Sequence, residues 1–356
     1  MNYGLVSALV LSLLPLQAQV TEERAGAIEK IAAAAMAKSR MPGLSVGVLA
    51  GDGSMWTKAW GFSDLENFVP ASPRTMFRLA SLSKPFTAVA AMRLVEAGKL
   101  DLDAEVRRYV PSFPAKPWPV TTRQLLAHTA GIRHYAGDEI NSTRYYPTVL
   151  SGLEIFANDP LVSEPGTKYL YTTYGFSLAG AAVESACGRS YLDCVKELVL
   201  EPAGMSHMRG DSTFALIPYR ARGYQTRQDG EVENCGLADT SYKIPGGGWI
   251  ADSEDLLKFS QALLQGRLLA PATLSRMWTS NLLKDGSSTG YGLGWGLNRR
   301  GGLMVAEHSG GQQGTSTFLM LAPERKLAIV VLTNLSNAPV RELAESLFDE
   351  LTGGAN

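Results

Sequence analysis

The sequence predicts an α/β chain, in the α+β sense of one sheet domain built from both termini with a helical region inserted between them. Three observations carry this. Residues 44–50 and 55–61 are apolar runs with strand character, joined across Asp52-Gly53, a dipeptide that favours a hairpin turn. Strand-like runs return near the other end, at 318–321 and 327–332, around a turn at Pro323-Glu324-Arg325. Between the two sets apolar residues recur with helical spacing, the pattern of helices packed on a sheet.

The chain has 356 residues, 45% hydrophobic and 19% charged, which is ample material for a large core. A net charge of −1 and the lack of any basic run leave no electrostatic footprint for nucleic acid. Residues 1–18 stand apart. Positions 5–16 are almost uninterruptedly apolar, and Leu16 and Ala18 sit at −3 and −1 of a cleavage point. The run is shorter than the roughly 20 apolar residues a membrane span needs. It reads as a secretory signal peptide, which predicts an exported protein, periplasmic or secreted, with no membrane span in the mature chain.

Three cysteines leave at least one thiol unpaired. Cys187 and Cys194 have the option of bridging in an oxidising compartment, with buried structural thiols as the preferred reading. No cysteine has metal-ligand spacing, and none of the four histidines forms a His-Glu-x-x-His pair. The expectation is no metal and no cofactor.

Taken in order, residues 21–39 form an amphipathic helix with Ile28, Ile31, Ala32 and Met36 on one face, ended by Pro42-Gly43. The first strand contains Gly43-Leu44-Ser45-Val46-Gly47, which matches Gly-x-Ser-x-Gly. A nucleophile elbow needs strand, sharp turn and helix, and here more strand follows, so Ser45 reads as structural.

Next comes Arg78-Leu79-Ala80-Ser81-Leu82-Ser83-Lys84-Pro85-Phe86. Apolar positions from Phe86 to Val95 keep helical spacing until Gly98, and Pro85 suits a first turn. On a helix starting here Ser81 and Lys84 share a face. A serine hydroxyl is a weak nucleophile until its proton is removed, and a partly desolvated lysine one turn away can assist. Ser81 is therefore the candidate nucleophile. Such a Ser-x-x-Lys motif arises by chance about once in a chain of this length, so its weight comes from what accompanies it.

A short capped helix at 121–132 breaks at Gly131, and His128 within it reads as a structural tie between loop and backbone. His134 and Tyr135 follow in the same loop. Pro165 to Gly175 is a tyrosine-rich turn leading into a small-residue helix at 176–186. A buried tyrosine beside a lysine can serve as a base, although packing accounts for the composition alone. Ser241-Tyr242-Lys243-Ile244-Pro245-Gly246-Gly247-Gly248 is a glycine-rich approach to a helix capped by Asp252 or Ser253. Residues 291–296 and 307–321 read as strands, and 340–351 as the closing helix.

With Ser81-Leu82-Ser83-Lys84, Tyr171-Thr172-Thr173 and His308-Ser309-Gly310 in that order, the chain resembles the serine β-lactamase and penicillin-binding-protein superfamily, in its class C β-lactamase-related branch. Gly131-Ile132-Arg133-His134-Tyr135, Asn158-Asp159-Pro160-Leu161 and Ser241-Tyr242-Lys243 bring the likeness nearest to the mitochondrial serine β-lactamase-like group. The short signal-like N-terminus points to a bacterial, exported relative of that group.

The resemblance implies a β-lactamase/transpeptidase-like fold: a central antiparallel sheet flanked by helices, from about 22–80 and 240–353, with helical residues 81–239 inserted. It also implies roles. Ser81 forms the acyl-enzyme, Lys84 assists its deprotonation and keeps Tyr171 acidic, and Tyr171 moves the proton to the leaving group. The amides of Ser81 and Gly311 form the oxyanion hole, while Thr173, Ser309 and Gly310 bind substrate. His308 stands where the third motif commonly has lysine, with a charge conditional near neutral pH and a possible grip on substrate carboxylate. Thr173 replaces the asparagine of Tyr-x-Asn, which weakens the hold on a substrate amide. The activity implied is a serine hydrolase, first a peptidase or amidohydrolase on a small peptide, amide or ester. A carboxylesterase or weak β-lactamase is the alternative, and an idle ligand-binding or assembly module the rival from another class.

Overall fold

The computed structural model describes residues 20–354, so the signal-peptide reading of 1–18 lies outside the described residues. Strands β1 (Gly43–Leu49), β2 (Met55–Asp64) and β3 (Val69–Pro70) join β4 (Gly296–Arg300), β5 (Leu303–Gln312), β6 (Thr315–Ala322) and β7 (Leu327–Thr333) in one antiparallel sheet. Its order is β3-β2-β1-β7-β6-β5-β4, so the two ends of the chain meet at the β1–β7 pair in mid-sheet. Both faces are covered, which is why central β7 is an unbroken apolar run, Leu-Ala-Ile-Val-Val-Leu, rather than an alternating one.

Helix α1 (Glu22–Ser39) and the C-terminal helix cover one face. Thr21 caps α1 by accepting the Arg24 N–H, and Ile28 and Ala32 are its buried positions, packed in one cluster with Val46, Ile329 and Val331. The opposite face meets α4 (Ser253–Leu264), and α2 (Lys84–Glu96) and α3 (Thr173–Cys187), packed on each other, share the same core cluster, which includes Phe86, Leu257, Val330 and Leu332. The closing helix is α5 (Val340–Thr352). Ten of the thirteen α2 residues are buried, so this helix is packed on nearly every side. Among the described residues no helix is long and apolar enough to cross a membrane.

Ser45 is fully buried in β1, paired with Leu332 and Ala59, and its hydroxyl donates to Ser253 Oγ at 2.9 Å. It fastens the sheet to the start of α4 and is closed to substrate.

Several local expectations are corrected. The helix at Thr122–Leu126 stops earlier than residue 132, because His128 adopts a left-handed backbone with φ +59°. Residues 291–295 are not a strand: Gly294 turns at φ +81°, and Tyr291 makes only an isolated bridge to Gly296. The single strand expected over 307–321 is two, folded into a hairpin at Gln313-Gly314, where Gly314 takes φ +69°. Cys187 and Cys194 form a disulfide across the turn after α3, where buried thiols were the expectation, and Cys235 is free.

Helix α4 docks closely because β1 offers Gly47: a Cβ there would lie 3.1 Å from Leu257 Cδ1. Leu257→Ala should therefore leave a cavity and lower stability by about 3 kcal/mol, read as a fall in the urea midpoint at unchanged m.

Candidate active site

Ser81 sits in a single 3₁₀ turn, Ala80–Ser83, that runs directly into α2. The turn is tied down from several directions. Leu79 N–H donates to Trp249 O at 2.8 Å, and Thr317 Oγ1 donates to Leu79 O at 2.9 Å. Thr315 Oγ1 donates to Arg78 O at 2.8 Å, and Ser83 Oγ accepts the Trp249 N–H at 3.2 Å. Strand β5 presses in from the side. At Gly310 a Cβ would fall 2.1 Å from Leu79 O and 2.3 Å from Thr317 Oγ1, so only glycine permits the approach. Ala80, just before the serine, is held at φ +49°, a conformation unfavourable for a residue with a side chain.

Lys84 is fully buried. Its Nζ lies 2.9 Å from Ser81 Oγ, 3.2 Å from Thr173 Oγ1 and 2.8 Å from Gly246 O. Burial drives its proton affinity well below that of a free lysine, and the Lys243 charge lowers it further. A neutral amine has two hydrogens and one lone pair. The Gly246 carbonyl can only accept, so donation to Gly246 and Thr173 leaves the lone pair for the Ser81 proton.

The Tyr171 ring lies beneath Lys84, whose Nζ is 4.7 Å from its centroid. Burial raises the phenol's pKa, and the Ser81 hydroxyl offsets this only in part. This corrects the expectation that Lys84 keeps Tyr171 acidic: the lysine's polar contacts go to Ser81, Thr173 and Gly246, and the phenol stays protonated. The Tyr171 loop is held by His128. Its Nδ1 accepts the Thr172 N–H at 3.1 Å, and its carbonyl accepts the Leu170 N–H at 2.8 Å, a structural tie as expected. His134 Nδ1 accepts the Thr173 N–H at 3.3 Å.

His308 is buried on β5. Ser309 O, 2.6 Å from Nδ1, can only accept, so Nδ1 carries the proton and Nε2 accepts the Tyr291 hydroxyl at 2.9 Å. Burial, then the Lys84 charge, push its pKa down to about 3. The histidine is therefore neutral with both nitrogens engaged, which overturns its expected role as a conditional cation gripping a carboxylate. Thr173 is buried too, and its hydroxyl is spent on Lys84 rather than turned to substrate. Gly310 is buried as the spacer under Ser81, while Ser309 and Gly311 are exposed. Strand β4 pairs with β5 only as far as Glu307, which leaves residues 308–312 with a free outer edge beside Ser81.

Ala80, Tyr291, Gly246 O and Lys243 escape sequence reasoning. The strained residue has no local signal, and Tyr291 lies in a stretch that reads as strand. His207, Asp252 and Asp255 place possible metal-ligand atoms within 4.8 Å of one another. Their oxygens already serve the fold: Asp252 caps α4 and meets His207 Nδ1 at 2.7 Å, and Asp255 accepts the His207 and Met208 N–H groups.

A partly exposed serine against a buried lysine, beside a free sheet edge, is the setting that a serine hydrolase needs. The beta-lactamase family profile matches residues 28–352, and the chain belongs to that family and to the serine hydrolase superfamily around it. It is 30% identical over 378 residues to the mitochondrial serine beta-lactamase-like protein LACTB of Homo sapiens, covering 80% of this chain and 69% of that protein. It is 30% identical over 305 residues to penicillin-binding protein 4* of Bacillus subtilis, covering 81% and 67%. The octameric penicillin-binding protein homologue from Pyrococcus abyssi superposes with a TM-score of 0.80 at 27% identity, covering 93% of this chain and 78% of that one. The fold is thus the β-lactamase/transpeptidase one.

A histidine held neutral down to about pH 3 destabilises the fold in acid, because the unfolded chain binds its proton near pH 6.5 and the folded chain does not. The stability is complete above pH 6.5 and falls between 6.5 and 3, at up to about 1.4 kcal/mol per pH unit for this group. An NMR titration should show the His308 ring unprotonated at pH 5, and His308→Gln should flatten the pH dependence of urea unfolding in that window.

Proposed function

We propose that the chain is a peptidase or amidohydrolase working through an acyl-enzyme on Ser81. The observation that carries this is the 2.9 Å contact between Ser81 Oγ and the buried Lys84 amine, whose proton affinity burial lowers. Lys84 takes the hydroxyl proton as Ser81 attacks the carbonyl. The amides of Ser81 and Gly311 face the developing oxyanion, where one lost donor typically costs about 3–4 kcal/mol. The free edge of β5 offers backbone groups to an extended peptide laid beside Ser81.

Tyr171 is the protonated phenol at the serine. A departing amine needs a proton as the bond breaks, and Tyr171 can supply it and recover one from the Ser81–Lys84 pair. An ester's alkoxide or phenolate leaves with less help, so amide cleavage leans harder on Tyr171. The similarity to penicillin-binding protein 4* of Bacillus subtilis supports the same acyl chemistry. The disulfide between Cys187 and Cys194 supports export to an oxidising compartment.

A mixed library of L- and D-peptides, read by mass spectrometry against Ser81→Ala as blank, tests the proposal. Cuts that vanish in Ser81→Ala are expected, and none at all would leave ester or β-lactam hydrolysis in the lead. Tyr171→Phe should lose at least about tenfold more amide than ester turnover; equal losses would remove Tyr171 as proton donor.

A further inference from the structure

Lys243 is as deeply buried as Lys84, at 1% exposure. Among the described residues its Nζ makes neither a hydrogen bond nor an ion pair, only contacts with the Tyr135 and Tyr242 rings at 5.3 and 5.2 Å. The carboxylates that could neutralise it are engaged elsewhere. Asp211 is held by Arg78 Nε at 2.8 Å and by Arg220 at 3.0 Å. Asp239 accepts the Ser241 N–H at 2.8 Å and the Thr213 hydroxyl at 3.0 Å.

The two buried lysines flank one short stretch of backbone. Lys84 donates to Gly246 O, and a Cβ on the next residue, Gly247, would lie 3.5 Å from Lys243 Cδ and 3.8 Å from the Ala80 carbonyl carbon. A second path joins them: Lys243 packs on the Tyr135 ring, and the Thr173 side chain, which acts on the Tyr135 phenol, accepts from Lys84 Nζ through its Oγ1. His308, at the third motif, supplies no charge. The nearby cation whose charge acts on Lys84 belongs instead to the glycine-rich turn.

We propose that Lys243 is a positioning residue for the Ser81–Lys84 pair: its unpaired ammonium, across the Gly246-Gly247 backbone, keeps a proton off Lys84 and so leaves the Lys84 amine free to accept the proton of Ser81. This rests on the reading of Ser81 as nucleophile and Lys84 as its base. Like charges in a dry site cannot both persist, so two adjacent amines share protons as paired carboxylates do. Burial, then the Arg78 charge, bring Lys243 itself down to about 7, with Asp211 and Asp239 acting in the opposite sense. The remaining ionisable neighbours are Tyr242 on its own turn, Tyr135 and His134 on the loop opposite, and Lys84 on α2.

The test is the pH dependence of Ser81 acetylation by p-nitrophenyl acetate, followed by release of nitrophenol and by mass of the adduct. Its phenolate leaves without a proton, so the rate isolates removal of the serine proton. In the wild-type enzyme the rate should rise with pH through an inflection set by Lys84. Lys243→Met and Lys243→Gln should move that inflection upward by about one pH unit, a roughly tenfold loss of rate on its acid side. Lys243→Arg, a permanent cation, should restore the wild-type position. Thermal unfolding of each variant separates a damaged fold from a shifted titration, and the glutamine variant keeps the test open if methionine misfolds. An unmoved inflection in a folded Met or Gln variant overturns the proposal, and so does an equal shift in the arginine variant. Acetylation that persists at full rate in Ser81→Ala overturns the underlying nucleophile reading instead.

Discussion

One contact sets the terms for the rest of the site: the buried amine of Lys84 against the Ser81 hydroxyl. A lysine taken out of water without a counter-charge holds its proton less tightly, and among the described residues no carboxylate contacts Nζ. What surrounds Nζ is a hydroxyl on either side, a carbonyl and two aromatic faces. Those partners suit an amine better than an ammonium. The burial that makes this possible belongs to α2, packed on nearly every side, and hence to the whole interface between sheet and helical region.

Holding the serine in place has a conformational cost. Ala80 in a left-handed conformation is worth of order 1–3 kcal/mol of strain, which only an over-determined turn can sustain. The ties come from strand β6, from the Trp249 strand and from the side-chain-free surface of Gly310, segments more than 150 residues away in sequence. The same packing brings the open outer edge of β5 alongside Ser81, so turn and edge are one construction.

The site sorts its cations by type. Arginines near it are paired: Arg78 and Arg220 with Asp211, Arg133 with Glu139 and Asp159. Among the described residues Lys84 and Lys243 have no such partner. A guanidinium stays charged in any protein and has to be matched, whereas a lysine can respond to burial by releasing its proton. His308 follows the same logic, its two nitrogens satisfied as a neutral ring between Tyr291 and Ser309.

Local information in the sequence was enough for much of this. Thr21, Thr121 and Asp252 cap helices where their side chains invite it. The apolar runs at 44–50 and 327–332 become the central strand pair. A three-residue spacing alone puts Ser81 and Lys84 on one face, and the following strand argued Ser45 out of catalysis. Where a left-handed residue was not flagged by sequence, the reading slipped: at His128, at Gly294 and at the Gly314 hairpin. The disulfide also depended on how two helices lie, not on spacing.

What only the tertiary structure decided was protonation and company. Burial that lowers the proton affinity of Lys84 and His308 is a sum over elements distant in the chain, and no motif contains it. Tyr291 reaches His308, Thr173 turns to Lys84, and Lys243 arrives across a glycine backbone, all through long-range packing. The sequence by itself determined the order of motifs, the strands and helices, and the chemical types in the site, because these rest on neighbours within a turn or a hairpin. Which of those groups carries a charge, and which faces the cleft, followed from the fold, because desolvation and contact are properties of the whole assembled core.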